Sequence, residues 1–274
     1  MIEGTILLVG CGRMGGALLE GWFKNGLNPV DAIVIEPAGR GSVAPCSKHR
    51  ALTCLSDVAE VPRDFVPDVV LFAVKPQIAD GVIPAYRRFA GQAPVFLSVI
   101  AGKTTGYFHS HLGAAAAVVR CMPNTPAAVG KAITAMFAAP AVSAIQRHVC
   151  EILLSAVGET VWLADEGQMD AVTAVSGSGP AYVFLLVEAL RDAGIAAGLP
   201  ADVAEHLARS TITGAGTLLE RDAAIAPSAL RQAVTSHGGT TAAALAVLMG
   251  DNGLKELMTR AVAAAAQRSR ELAG

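Results

Sequence analysis

The chain has 274 residues, 53% of them hydrophobic and only 5% aromatic, with a formal net charge of −2. That length holds two cores of ordinary domain size. A near-neutral balance gives no electrostatic reason to expect nucleic acid or an anionic membrane surface as a partner. Alanine supplies much of the apolar content, which favours closely packed helices over a β-sandwich. Five cysteines, at 11, 46, 54, 121 and 150, form no CxxC pair. A strand-like run begins at Thr5, so no targeting segment is expected ahead of it. Together these lead to an expectation of reduced thiols in a soluble cytoplasmic protein. One long uncharged and apolar stretch, residues 171–187, contains Ser176-Gly177-Ser178-Gly179-Pro180. It reads as an interrupted and therefore poor membrane span.

In chain order, short β-branched runs at 6–9, 32–35, 69–74, 95–99 and 118–120 predict strands. Helix-like stretches at 16–24 and 78–89 lie between some of them. Such alternation predicts a parallel sheet with helices on both faces. Two further apolar runs, 132–137 and 160–163, flank a predicted helix at 142–156 and extend the same sheet. Beyond residue 163 the strand signal stops. Helices are predicted from near Glu166, after Pro180, after Pro200, after Pro227, over 242–249 and over 252–272. Gly198-Leu199-Pro200 combines a helix stop with a helix start. The expected division is a doubly wound α/β domain over 1–163 and an all-helical domain over 164–274.

Val9-Gly10-Cys11-Gly12-Arg13-Met14-Gly15 places GxGxxG between the first strand and the first helix. In that context the first glycine permits a tight turn, the second lets backbone approach a pyrophosphate, and the third allows close helix–strand packing. A Rossmann-type dinucleotide site follows, with Gly10, Cys11, Gly12, Arg13, Met14 and Gly15 as cofactor-binding residues. Glu36 closes the second strand, 21 residues beyond Gly15. An acid there accepts from the ribose 2′-OH of NAD and repels the 2′-phosphate of NADP. Arg40, just beyond, could offset that repulsion, so NADH and NADPH both stay open.

Five further segments, in this order, resemble pyrroline-5-carboxylate reductases over essentially the whole chain. They are Ala73-Val74-Lys75-Pro76-Gln77, Ser98-Val99-Ile100-Ala101-Gly102, Val119-Arg120-Cys121-Met122-Pro123-Asn124-Thr125-Pro126, Ala174-Val175-Ser176-Gly177-Ser178-Gly179-Pro180-Ala181-Tyr182, and Val234-Thr235-Ser236-His237-Gly238-Gly239-Thr240-Thr241. The resemblance implies NADPH- or NADH-dependent reduction of 1-pyrroline-5-carboxylate to L-proline, the last step of proline biosynthesis. It also implies a homodimer built through the helical domain, with assembly into a homodecamer. Ala73, Val74, Lys75, Pro76 and Ala101 would flank the cofactor, and Asn124 would lie by the nicotinamide. Ser236, Gly239 and Thr240 would hold the substrate carboxylate, and Thr241 would touch the imine as the catalytic contact.

The residues are compatible with that assignment. Two glycines at a helix start leave N–H groups and a positive helix end open to a carboxylate, although Ser or Thr there could simply cap the helix. Two departures stand out. Ile100 replaces a small residue, predicting a narrower pocket wall, and His237 stands where the family has proline. His109-Ser110-His111 has metal-ligand spacing but no acidic or cysteine neighbour in sequence, so no metal site is expected.

Two rival readings share the same organisation. A β-hydroxyacid dehydrogenase would carry an active-site lysine after the 176–179 segment, yet no lysine occurs between Lys131 and Lys255. Such a reaction also needs a base for the hydroxyl proton. A non-catalytic dinucleotide-binding protein would have no need of the Gly238-Gly239-Thr240-Thr241 loop.

Overall fold

The computed structural model of the chain describes Ile2 and residues 4–273. The strands are β1 (Ile6–Val9), β2 (Ala32–Ile35), β3 (Thr53–Leu55), β4 (Val69–Phe72), β5 (Val95–Ser98), β6 (Ala117–Met122), β7 (Ala132–Ala138) and β8 (Gly158–Trp162). They form one sheet in the order β3-β2-β1-β4-β5-β6-β7-β8. All neighbours are parallel except β6 and β7. The link from β6 to β7 is too short for a helical crossover, so the pair must run antiparallel. β1, β2, β4 and β5 are buried at every position, as strands covered on both faces must be.

The strand order reverses direction at β1, whose Val9 pairs with Ile35 on one side and Phe72 on the other. A crevice at the carboxyl ends of strands flanking such a reversal is where ligands bind in open α/β sheets. Helices α1 (Arg13–Lys24), α2 (Ala44–Lys48), α3 (Ala79–Val82), α4 (Thr105–Leu112) and α5 (Ala144–Ser155) accompany the sheet. Trp22 of α1 is fully buried and donates its indole N–H to Leu153 O of α5 at 2.8 Å. Polar satisfaction of this kind lets a large ring lock two helices together.

Three elements depart from the sequence reading. β3 has only three residues, one of them exposed, and gives no readable period. The predicted helix at 78–89 is instead a 3-10 turn (Pro76–Ile78), the single turn α3 and a 3-10 run (Ile83–Gln92). Pro84 removes a backbone donor in the middle of it, and Gly81 weakens the turn before. α4 emerges where no helix was predicted, capped by the Thr104 hydroxyl, which accepts from Tyr107 N–H at 3.1 Å.

Beyond β8 the described chain is helical: α6 (Met169–Val172), α7 (Gly179–Ala196), α8 (Ala201–Arg221), α9 (Pro227–Ala233), α10 (Thr240–Leu248) and α11 (Leu254–Ala273). Contacts divide the chain into two compact units, Met1–Gly177 with Ala266–Gly274, and Ser178–Ala265. In the first unit, Ser269 of α11 donates to Asp170 Oδ1 at 2.6 Å.

The glycines and proline at 177–180 do not break the apolar run. A π-helical turn (Thr173–Gly177) joins α6 to α7, and helix runs from Glu166 to Ala196. By length and composition this run could cross a membrane, and only 6% of its most apolar window is buried within the chain. Pro180 has no N–H for the carbonyl four residues back, that of Ser176. The Asn124 side chain supplies the missing donor, Nδ2 to Ser176 O at 3.3 Å.

Candidate active site

The glycine loop lies at the strand reversal. Gly10 adopts φ +87°, which L side chains rarely do. Its N–H donates to Ile35 O at 2.9 Å, tying the turn to β2. A Cβ on Gly15 would collide with Gly10 O, so only glycine lets α1 start this close to the loop. A Cβ on Gly12 would meet nothing within 4 Å. Gly12 is also the N-cap of α1 and supplies no side-chain cap. No N-cap side chain therefore takes up the first-turn N–H groups, and Arg13 is exposed and Met14 half-buried at the same helix start. These features fit a pyrophosphate: a close backbone approach, uncapped donors and a positive helix end.

Cys11 is buried at 4% exposure. Burial pushes its thiol up to about 12, so at neutral pH it is a protonated packing group and not a nucleophile. Its N–H donates to Glu36 Oε2 at 2.9 Å, and Glu36 Oε1 takes Ala38 N–H at 3.2 Å. Glu36 thus sits where β2 leaves the sheet and is fixed to the glycine loop by its own carboxylate. Arg40 does not lie free beside it. Its guanidinium bonds to Leu52 O, and to Arg50 O at 3.4 Å.

Beside the loop is a cleft of about 160 Å³, lined among others by Gly10, Pro37, Asp57, Val58, Val74 and Ile78. Ala73 and Val74 follow β4, with Ala73 N–H donating to Val9 O at 2.8 Å. Lys75 is exposed at the head of the Pro76–Ile78 turn. Ala101 is exposed after β5, next to Gly102 at φ +77°. Ile100 is not a pocket wall: at 2% exposure it belongs to the hydrophobic core, and its N–H donates to Ser98 Oγ at 3.2 Å.

Asn124 is buried, and its side chain is engaged at both ends. Oδ1 accepts from Ile133 N–H at 3.1 Å while Nδ2 serves the Ser176 carbonyl. A second buried polar group was not among the residues singled out from the sequence. Arg120, 6% exposed on β6, meets Glu166 Oε1 at 3.2 Å. Glu166 also takes the Thr105 N–H at 2.8 Å and the Thr105 hydroxyl at 2.6 Å. This pins the start of α4, and with it the turn carrying Ala101. The available signal was an arginine inside the apolar strand Val118-Val119-Arg120-Cys121, since a buried guanidinium requires a carboxylate.

The second cluster belongs to the other compact unit. Thr235 Oγ donates to Arg231 O at 2.6 Å, closing α9, and Gly238 turns the chain at φ +69°. Gly239 is the N-cap of α10 and supplies no side-chain cap, so neither Ser236 nor a threonine closes this helix end. Gly239 N–H is spent on Ser236 O at 3.1 Å. A Cβ on Gly239 would collide with Ser236 Oγ, so the glycine is what lets the serine hydroxyl fold over the loop. The backbone donors left open by helix geometry are those of Thr240, Thr241 and Ala242. Thr241 is half-buried, whereas Ser236, His237 and Thr240 are exposed.

A doubly wound sheet with an open glycine loop at its reversal, followed by a helical unit, defines a dinucleotide-dependent oxidoreductase class. A family model described as "NADP oxidoreductase coenzyme F420-dependent" matches residues 5–102, and one described as "Pyrroline-5-carboxylate reductase dimerisation" matches residues 166–272. Pyrroline-5-carboxylate reductase of Pseudomonas aeruginosa is 39% identical over 268 residues, covering 98% of this chain and 96% of that protein. The Synechocystis protein of the same name is 42% identical, covering 97% of each. The structure of a pyrroline-5-carboxylate reductase from Coxiella burnetii superimposes with TM-score 0.89 at 34% identity, covering 98% of both chains. The chain belongs to the pyrroline-5-carboxylate reductase family, and its residues 166–272 are that family's dimerisation domain. Prephenate dehydrogenase of Aquifex aeolicus, at TM-score 0.53 and 15% identity, shares the fold alone.

Proposed function

We propose that this protein reduces 1-pyrroline-5-carboxylate to L-proline with NADH or NADPH. The observation that carries the reading is the N-terminus of α10, left without a side-chain cap by Gly238-Gly239-Thr240-Thr241 in a chain that also keeps an open glycine loop. A helix end of that kind suits the carboxylate of a small cyclic imino acid.

In this reading the carboxylate takes the Thr240 and Thr241 N–H groups and the Ser236 hydroxyl, with Gly239 making room. Thr241 Oγ orients the ring nitrogen. Gly10, Cys11, Gly12, Arg13, Met14 and Gly15 carry the dinucleotide phosphates, and Glu36 holds the ribose. Ala73, Val74, Lys75, Pro76 and Ala101 flank the cofactor. Asn124 lies by the nicotinamide, and its side chain also ties the turn after β6 to the π-helical turn. Bound reduced nicotinamide supplies a hydride equivalent. A protonated C=N is already electrophilic, so the protein has mainly to align and desolvate it. No acid–base dyad is needed for that work.

The remaining assignments follow from the same reading. Residues 1–163 form the dinucleotide domain and 164–274 the substrate and dimerisation domain. The enzyme works in the cytoplasm as a homodimer, assembling further to a homodecamer, without nucleic-acid or membrane partners. Oxidation of NADH or NADPH in the presence of pyrroline-5-carboxylate tests the activity, run beside hydroxyacid-dependent reduction of the oxidised cofactors. Turnover only in the second assay makes it a hydroxyacid dehydrogenase, and turnover in neither leaves a binding protein.

A further inference from the structure

The carboxylates and arginines around the ribose end of the cleft point to more than a generic nucleotide site. We infer that this enzyme selects NADH over NADPH, because its site presents a fixed anionic rim to the 2′ position and has its nearby guanidinium groups turned to other work. The inference rests on the proposed function and refines its cofactor.

The 2′ oxygen of a dinucleotide lies where β2 leaves the sheet, which is the position of Glu36. That carboxylate is held between two backbone donors, Cys11 N–H at 2.9 Å and Ala38 N–H at 3.2 Å. It cannot swing away without stripping both. Each carboxylate oxygen keeps a further lone pair, enough to accept from ribose hydroxyls. A 2′-phosphate has no proton to offer there and brings up to two negative charges of its own.

The next strand end adds to the same sign. Asp57, just past β3, lines the cleft and accepts from Ala59 N–H at 2.7 Å. Glu60 Oε1 takes the N–H groups of Ser56 at 3.2 Å and Asp57 at 2.9 Å, fixing the loop. Two arginines have the reach to neutralise this rim. Arg40 is bonded to Leu52 O and Arg50 O, both ahead of β3 on the amino side of the sheet, so its guanidinium is drawn away from the strand exits. Arg88 donates to Val58 O at 2.8 Å and Val61 O at 3.4 Å and lies over the Phe89 ring at 4.6 Å. Arg13 heads α1 on the pyrophosphate side. Lys75 follows β4, which is separated from β2 by β1. That places it two strand spacings, about 9–10 Å, from the 2′ side.

Titrating the protein with NADH and with NADPH, followed by cofactor fluorescence without imine, measures the preference as a ratio of Kd values. NADH should bind about tenfold tighter, or more, which corresponds to about 1.4 kcal/mol. Glu36→Gln keeps an acceptor for Cys11 N–H while removing the charge. It should bring the ratio towards one, mainly by tightening NADPH, with circular dichroism reporting that the fold is kept. If the variant does not fold, the wild-type ratio decides alone. NADPH binding as tightly as NADH, or tighter, overturns the inference and leaves the reductase reading standing. A ratio unmoved by a folded Glu36→Gln also overturns it, because the carboxylate then does not face the ribose. Failure of both dinucleotides to bind overturns the site and the preference together.

Discussion

In the first compact unit, β1, β2, β4 and β5 are buried at every position, whereas α7, α9 and α10 in the second have no buried residue at all. α8 buries only Ala204 and Ala208. Phe184, Leu185 and Val247 are 62%, 63% and 77% exposed. One unit closes its core with its own chain; the other presents apolar helix faces that a soluble monomer rarely leaves to water. The difference assigns separate tasks. The sheet unit buries its strands with its own chain, while the helices, which belong to the family's dimerisation domain, leave apolar faces available for oligomerisation.

The comparison breaks most visibly on dilution. Helices stabilised by a partner should lose structure when the partner leaves. Activity is expected to be lost as the dimer dissociates, and helical circular dichroism to fall with it by the share of the second unit, the helices of the sheet unit remaining. Light scattering that finds a fully active monomer at nanomolar protein would show that the helical unit needs no partner.

The next effect is chemical and local to α10. Thr241→Ala removes the hydroxyl proposed to orient the ring nitrogen. A hydrogen bond to a charged group contributes about 1.5–3 kcal/mol, so kcat should drop roughly ten- to a hundredfold. The Michaelis constant for the cofactor should barely move, because the glycine loop belongs to the other unit. Thr240→Ala keeps its backbone N–H and should be milder. Steady-state kinetics of the two variants decide this. Unchanged kcat and KM in a folded Thr241→Ala protein would reduce the loop to an ordinary helix start.

How much of this was legible depended on where the physics is local. Seven of the eight strands announced themselves as apolar runs, and the glycine loop fixed the cofactor end, because strand period and turn chemistry are written in adjacent residues. β3 was too short to have a period. The 78–89 stretch had helical patterning but carried Pro84, which lacks the N–H that a continuous α-helix needs. The tie from Glu166 to Thr105 and Arg120 joins residues far apart in sequence, and no local pattern predicts such a partner. The same holds for Asn124. Its motif pointed to the nicotinamide, and nothing local announced the bonds its side chain makes to Ile133 and Ser176. In the helical unit the proposed substrate loop was readable only through the family resemblance, since Ser-x-Gly-Gly-Thr-Thr alone could equally be a cap.

Asn124 therefore tests the place where the closed unit gives way to the open helices. Asn124→Ala leaves Ile133 N–H and the Ser176 carbonyl without these partners, and Pro180 cannot serve the latter. Both bonds are partly buried, so with about 1–1.5 kcal/mol for each group left unpaired, a loss of about 2–3 kcal/mol is expected. For a chain of this size that lowers Tm by roughly 5–10 °C. Calorimetry showing no change would mean that the π-helical turn holds itself.

The closed core carries one flaw, and it predicts the smallest effect. Thr134 on β7 is fully buried, and among the described residues its Oγ1 is the only buried side-chain N or O atom with no hydrogen-bond partner. A hydroxyl taken from water without a partner destabilises the fold by about 1–3 kcal/mol. Thr134→Val keeps the branched shape, replaces the hydroxyl with a methyl group and has the better strand propensity. The variant should gain about 1 kcal/mol and melt about 2–4 °C higher, with kcat and KM unchanged. The sign is the informative part. In a well-closed core, removing an orphaned polar atom stabilises, whereas a lower Tm would show that this hydroxyl has a partner such as a trapped water, and that the sheet unit is less dry than its buried strands imply.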